Sequence, residues 1–205
     1  MEVEVNNMEL WEQVCKTDPE YTKEVNMRGG FTAIDPQYQL KRATEQWGPY
    51  GGKWGLSSMK FTFIEPLNTM MLEAILYYPH PMGAVAGGDA EIFIAVDMVI
   101  KPNDDCCKKL ITSARSKALS YLGFSADVYL GKFDDTEYVK DMKVAFAESE
   151  QLEKRVLGDI SNCHSEPALD KVEKRIQDLR NTDNITAAQH RIFMKAIKEQ
   201  REQCM

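Results

Sequence analysis

Histidine is scarce in this chain and widely dispersed: His80, His164 and His190 are the only three among 205 residues. A catalytic or metal-binding histidine needs partners, and no two of these are close in sequence. His80 stands between Pro79 and Pro81 and reads as a loop residue. The five cysteines are Cys15, Cys106, Cys107, Cys163 and Cys204, with no C-x-x-C pair among them. Cys163-His164 has no companion pair, so no zinc site is expected. An odd cysteine count fits a reducing compartment better than a disulfide framework. No G-x-x-x-x-G-K-[ST] occurs, and the Gly-Gly-Lys-Trp-Gly run at 51–55 lacks the Ser or Thr that would hold magnesium. The G-x-S-x-G nucleophile elbow is missing too. No apolar run approaches the roughly 20 residues of a membrane span, and the acidic N-terminus does not read as a signal peptide. There is no internal repeat and no low-complexity tract. These absences lead to an expectation of a cytoplasmic protein that is not an enzyme, with no cofactor and no metal.

The charge is also informative. Net charge is −7, which argues against a protein that coats DNA with its whole surface. The distribution is uneven. Glu2, Glu4, Glu9, Glu12, Asp18, Glu20 and Glu24 dominate the start. The stretches 28–60 and 101–132 are net basic, and 134–166 is acidic again. A basic centre between acidic flanks suits local contact with an anionic polymer.

Apolar periodicity and turn residues predict an α+β fold. A short helix covers Glu9 to Lys16 and ends at Asp18-Pro19. Arg28-Gly29-Gly30 reads as a turn. Asp35 and Pro36 open a helix that runs to Trp47. Its predicted inner face is Leu40, Ala43, Thr44 and Trp47, with Tyr38, Lys41, Arg42 and Glu45 outside, where Lys41 and Arg42 are candidate contacts for an anionic polymer. Three strand-like runs follow, Leu56 to Ile64, Thr69 to Tyr78 and Ala90 to Ile100, with a hairpin loop over 79–89. Consecutive strands with short connections imply an antiparallel three-stranded meander flanked by helices. An amphipathic helix begins at Cys106 and breaks at Gly123. Beyond Asp141 the chain is helical, with disorder expected between Glu148 and Glu166. A C-terminal helical hairpin spans Ala168 to Leu179 and the segment opened by Thr186 and Gln189, which have capping-box spacing. Ile176, Leu179, Ile192, Phe193, Ala196 and Ile197 form its predicted seam. The expected division is a core at 1–140 and a helical region at 141–205.

The Cys106 helix carries the most chemistry. Cys107, Leu110, Ile111, Ala114, Ala118, Tyr121 and Leu122 mark its predicted buried face. Thr112, Ser113, Ser116 and Ser120 line the other side, with Lys108, Lys109, Arg115 and Lys117 among or beside them. Small hydroxyl side chains between cations let a phosphate backbone approach closely, and such contacts give affinity without sequence preference. The plainer reading is a solvated face on a core helix. Trp47, Tyr50, Lys53 and Trp54 form an aromatic, glycine-rich loop. Such rings either anchor the core or stack on bases, contributing about 1–3 kcal/mol per base, and Tyr50, Lys53 and Trp54 are the loop's candidate contacts. Asp89, Glu91 and Asp97 raise a metal-dependent nuclease as an alternative, but Glu91 and Asp97 lie too far apart along a strand to share one ion. A structural or regulatory oligomer without DNA binding is the other alternative.

Two blocks also carry a resemblance. The stretch from Glu20 to Gly55 has a Glu20-Tyr21 step, a Gly29-Gly30 turn, an Ile34-Asp35 step, a helix through Ala43, then Trp47-Gly48 and Lys53-Trp54-Gly55. The second block carries Lys117-Ala118-Leu119, Leu122-Gly123 and Asp134-Asp135. Together they resemble the annealing domain of the eukaryotic radiation-repair strand-annealing family and its phage relatives, the Sak-type single-strand annealing proteins. The resemblance covers roughly Trp11 to Tyr138. It implies a homo-oligomeric ring or filament that binds single-stranded DNA with phosphates in a basic groove and bases outward. It further implies annealing of complementary strands in homologous recombination and repair, with no nucleotide hydrolysis. Lys117 matches a basic groove position, Arg115 is its weaker neighbour, and either Arg28 or Lys23 matches the basic position near the Gly-Gly turn. Lys108 and Lys109 sit where the family has further basic residues. Where the family often has adjacent basic residues, this chain has Ser116-Lys117. The implied partners of the C-terminal helices are a host single-strand-binding protein or a phage exonuclease, which places a phage-encoded chain in the bacterial cytoplasm.

Overall fold

A computed structural model describes residues 8–26, 29–79, 90–99 and 103–204. The chain divides into two compact units, Met1–Thr136 and Glu137–Met205. Helix α1 (Glu9–Val14) leads into a 3-10 turn at Pro19–Tyr21, where the Asp18 carboxylate accepts the Glu20 N–H at 3.0 Å. A two-stranded hairpin that the sequence reading missed comes next, β1 (Thr22–Val25) paired antiparallel with β2 (Phe31–Ile34). Gly29 and Gly30, at φ +94° and +86°, supply the left-handed backbone between the strands.

Helix α2 (Pro36–Trp47) starts as expected: Asp35 accepts the Gln37 N–H at 2.8 Å and Pro36 sits in the first turn. Its faces differ from the expectation. Tyr38 is buried and stacks on Tyr21 at 4.8 Å, whereas Thr44 is exposed. The Tyr38 hydroxyl accepts the Asp18 N–H at 3.1 Å, so a partner for its polar tip lets the ring go inside.

Strands β3 (Gly55–Ile64), β4 (Thr69–Tyr78) and β5 (Ala90–Val99) form the antiparallel meander, in the order β3-β4-β5. Alternation along β4 sends Leu72, Ala74, Leu76 and Tyr78 into the core and leaves Met71, Glu73, Ile75 and Tyr77 half-buried on the other face. Helix α3 (Cys106–Tyr121) lays Leu110, Ala114, Ala118 and Leu119 on this sheet, and α2 adds Ala43. Each large apolar side chain buried this way contributes about 1.5–3 kcal/mol. The α3 register also differs from the prediction: Cys106 is buried while Cys107 and Tyr121 are exposed.

Gly123, at φ +94°, follows the end of α3, and the short α4 (Ala126–Tyr129) comes next. A buried clasp fastens this corner to the N-terminal segment. The Asp127 carboxylate accepts the Thr17 N–H at 2.8 Å and the Thr17 hydroxyl at 2.6 Å.

The second unit consists of α5 (Thr136–Ser161), α6 (Glu166–Asn181) and α7 (Ala187–Cys204). The α6–α7 hairpin is present and is joined by α5, whose Val156 and Ile160 share a core with Leu169, Ile176, Phe193 and Ile197. The expected disorder over 148–166 is therefore corrected through Ser161, where the chain is helical. Its high charge faces outward while an apolar stripe faces the hairpin. Ile192 is exposed rather than part of the seam. The predicted capping box is real: Gln189 N–H donates to Thr186 Oγ1, and Thr186 N–H to Gln189 Oε1, both at 3.1 Å. Among the described residues no helix is long and apolar enough to cross a membrane.

Candidate nucleic-acid interface

Helix α3 holds the densest group of the predicted contacts. Residues two apart on a helix point about 200° apart, so Arg115 and Lys117 lie on different flanks. One flank carries Lys108, Thr112 and Arg115. The other carries Lys109, Ser113 and Lys117, with Ser116 and Ser120 beside them. Lys108 is partly compensated by Asp105 at 3.3 Å. Lys109 and Lys117 are exposed and have no carboxylate partner among the described residues. The Lys117 ammonium lies 5.4 Å from the Tyr121 ring centroid, a contact that the four-residue spacing on a helix makes possible. Sequence reasoning placed Tyr121 in the core and missed this seat. Asp105, Lys108, Lys109, Thr112 and Ser113 line a shallow open depression at the head of the helix.

Arg115 meets the aromatic loop. Its guanidinium carbon stands 5.9 Å from the Tyr50 ring centroid. Its Nε is buried and has no hydrogen-bond partner among the described residues. Burial draws its pKa down from the ordinary value, with the Tyr50 phenol opposing, yet a guanidinium stays charged at any physiological pH. The Tyr50 hydroxyl accepts the Leu56 N–H at 3.3 Å, and its ring meets Trp54 edge-on at 5.1 Å. Tyr50 itself is 41% exposed.

The other predicted contacts do different work. Trp54 is fully buried and donates its indole N–H to the Gly48 carbonyl at 2.7 Å. Of its two readings, the core anchor holds and the base-stacking contact is corrected, because no face of the ring is open. Trp47 packs among Trp54, Tyr78 and Phe124, in agreement with its reading as a core anchor. Arg42 is likewise corrected from a solvent-facing contact to a structural residue. Its side chain is only 16% exposed, pairs with Glu45 at 2.7 Å and donates to the Gln13 carbonyl at 2.8 Å. Lys41 lies 3.9 Å from Glu45 and over the Tyr21 ring at 5.6 Å. Lys53 is exposed on the glycine loop and Lys23 on β1. Arg28, Asp89, His80 and the 80–89 hairpin loop lie outside the described residues. Glu91 and Asp97 are six residues apart on β5, about 20 Å along a strand.

Cys106 and Cys107 hold their sulfurs 3.9 Å apart at the head of α3. Loss of solvation, reinforced by the Cys106 thiol, pushes the Cys107 thiol up from its usual pKa, which makes it a weak nucleophile at neutral pH. Among the described residues no three His, Cys, Asp or Glu side chains gather to hold a metal ion.

Comparison with known proteins adds no identification: no protein family, curated protein or solved structure matches this chain.

Proposed function

We propose that this protein binds single-stranded DNA along α3 and promotes annealing of complementary strands without nucleotide hydrolysis. The observation that carries the reading is the uncompensated cationic surface of a sixteen-residue helix. Lys109, Arg115 and Lys117 have no carboxylate partner among the described residues, while hydroxyl side chains separate them. In an acidic chain with abundant Asp and Glu, cations left unpaired beside small side chains suit phosphate. Two complementary strands repel through their phosphates. Neutralising the backbones while leaving bases free lowers that barrier, and base pairing then drives the reaction.

Self-assembly belongs to the same reading, and the edge of the sheet supports it. Ser58, at φ +51°, makes a bulge in β3, after which Phe61 and Phe63 pair with Leu72 and Met70. Phe61 is 38% and Phe63 50% exposed on this edge strand, with Leu67 exposed beside them. An apolar edge of this kind favours pairing with a second copy.

The test is annealing of two labelled complementary oligonucleotides without ATP or metal. The wild type should accelerate it, and Lys109→Ala with Lys117→Ala should abolish the acceleration without changing oligomer size or melting temperature. A well-folded wild type that assembles but does not accelerate annealing would favour the structural oligomer. Magnesium-dependent cleavage would favour the nuclease.

A further inference from the structure

We propose that Arg115 and Tyr50 form a phosphate seat in which the guanidinium takes the phosphodiester oxygens and the Tyr50 ring positions it, rather than stacking on a base. The inference rests on the single-strand reading above and assigns each of the two residues a separate job. A free surface arginine is mobile and well solvated. Arg115 is half-buried against a ring whose own position is fixed twice, by the Leu56 N–H on its hydroxyl and by its T-shaped contact with Trp54. Among the described residues no carboxylate answers its charge and its Nε lacks a partner. A planar fork held on an aromatic face, already partly desolvated and short of acceptors, matches an oxyanion with two oxygens. Phosphate meets that need, and the neutral face of a base does not. Tyr50 gives one face to Arg115 and meets Trp54 in a T-shaped contact, so the ring serves to hold the guanidinium in place.

The flanks of α3 make the seat distinct from the Lys109–Lys117 row. A residue 200° around the helix from Lys117 reads a different phosphate, and the aromatic loop closes only the Arg115 side.

The first experiment is a double-mutant cycle on binding of a short oligothymidine to the full-length protein. Losing one phosphate contact should lower the salt slope by about 0.7 and the affinity about fourfold near 0.15 M salt, for Arg115→Ala and for Tyr50→Leu alike. The double variant should be no weaker than either single one. Additive loss, about sixteenfold, would show Tyr50 contacting DNA on its own and overturn the proposal. Tyr50→Phe, which keeps the ring, should recover most of what Tyr50→Leu loses. Arg115→Lys, which keeps the charge, should preserve the slope but lose affinity at every salt concentration.

The second experiment does not need a strand. Phenylglyoxal labelling of Arg115, mapped by mass spectrometry, should be slowed by inorganic pyrophosphate in the wild type and Tyr50→Phe but not in Tyr50→Leu. Protection by pyrophosphate without protection by oligothymidine would keep the seat and sink the single-strand reading. No protection by either would overturn the seat, and the Lys109 and Lys117 variants would then decide the reading separately.

Discussion

Trp54 and Tyr50 are four residues apart in one glycine-rich loop, and their fates differ because one has a buried acceptor to reach. The Trp54 indole N–H finds the Gly48 carbonyl, so the largest ring of the loop can leave water entirely. Trp54→Phe should cost about 1–3 kcal/mol by leaving that carbonyl unpaired, seen as a lower melting temperature. Because Trp54 also holds the Tyr50 ring, single-strand affinity should fall by no more than the roughly fourfold expected for Tyr50→Leu, and a larger loss in a folded variant would return Trp54 to the interface. Tyr38 supports a second prediction. Burial is the main cause that pushes its pKa from 10 up to about 12, against the pull of the Arg42 charge and the Asp18 hydrogen bond. The fold therefore disfavours the phenolate, while the unfolded chain ionises near its ordinary value. Stability from this group is complete below pH 10 and is lost as pH rises through about 12, a change of about 2–3 kcal/mol. Tyr38→Phe, already weakened by the unpaired Asp18 N–H, lacks this loss. Its stability gap to the wild type in urea melts should narrow as pH rises from 10 to 12. A constant gap would mean that the phenol ionises within the fold.

At the level of elements, the helix-forming patterns carried most of the information. Asp35-Pro36, the Thr186–Gln189 box and the meander of three strands are all signalled by residues within a few positions of each other, and all three are present. The α1-to-α2 hairpin was half legible, since its Gly29-Gly30 turn is local but the pairing of two four-residue strands is not. The faces of α2 and α3 were misread at Tyr38, where a tertiary partner overrode periodicity, and at Cys107 and Tyr121, which lie exposed at the two ends of α3. The meeting of Arg115 with Tyr50 joins residues far apart in the chain, so no local signal could reveal it. Gly123 shows how tightly the end of α3 is set. A Cβ there would stand 2.5 Å from Trp11 Cε3, on a backbone at φ +94°. Gly123→Ala should cost about 1–3 kcal/mol from overpacking and about 1–2 kcal/mol more from the left-handed backbone. Adding Trp11→Leu should return part of the overpacking share in thermal melts. If the second change returns nothing, the glycine is needed for its backbone alone.

For the whole molecule, a net charge of −7 and a proposed phosphate-binding helix are compatible because screening is short-ranged. At physiological ionic strength each exposed charge reaches about 8 Å, so a strand on α3 responds to its lysines and arginine more than to distant carboxylates. Much of the negative charge is also engaged locally. Arg201 alone gathers Glu166, Asp170 and Glu173 between 2.6 and 3.2 Å on the helical unit. If α3 supplies the strand contacts, the helical unit should be dispensable for them. Phe193 is fully buried in that unit's own core, and Phe193→Ala should destabilise it by about 3–5 kcal/mol. Hydrogen exchange of the full chain should then show α6 and α7 opening, while oligothymidine affinity and its salt slope stay at wild-type values. A fall in slope with the loss of protection would instead place part of the strand on α7, where Lys195 and Lys198 lie, and would move the boundary of the binding region past the first unit.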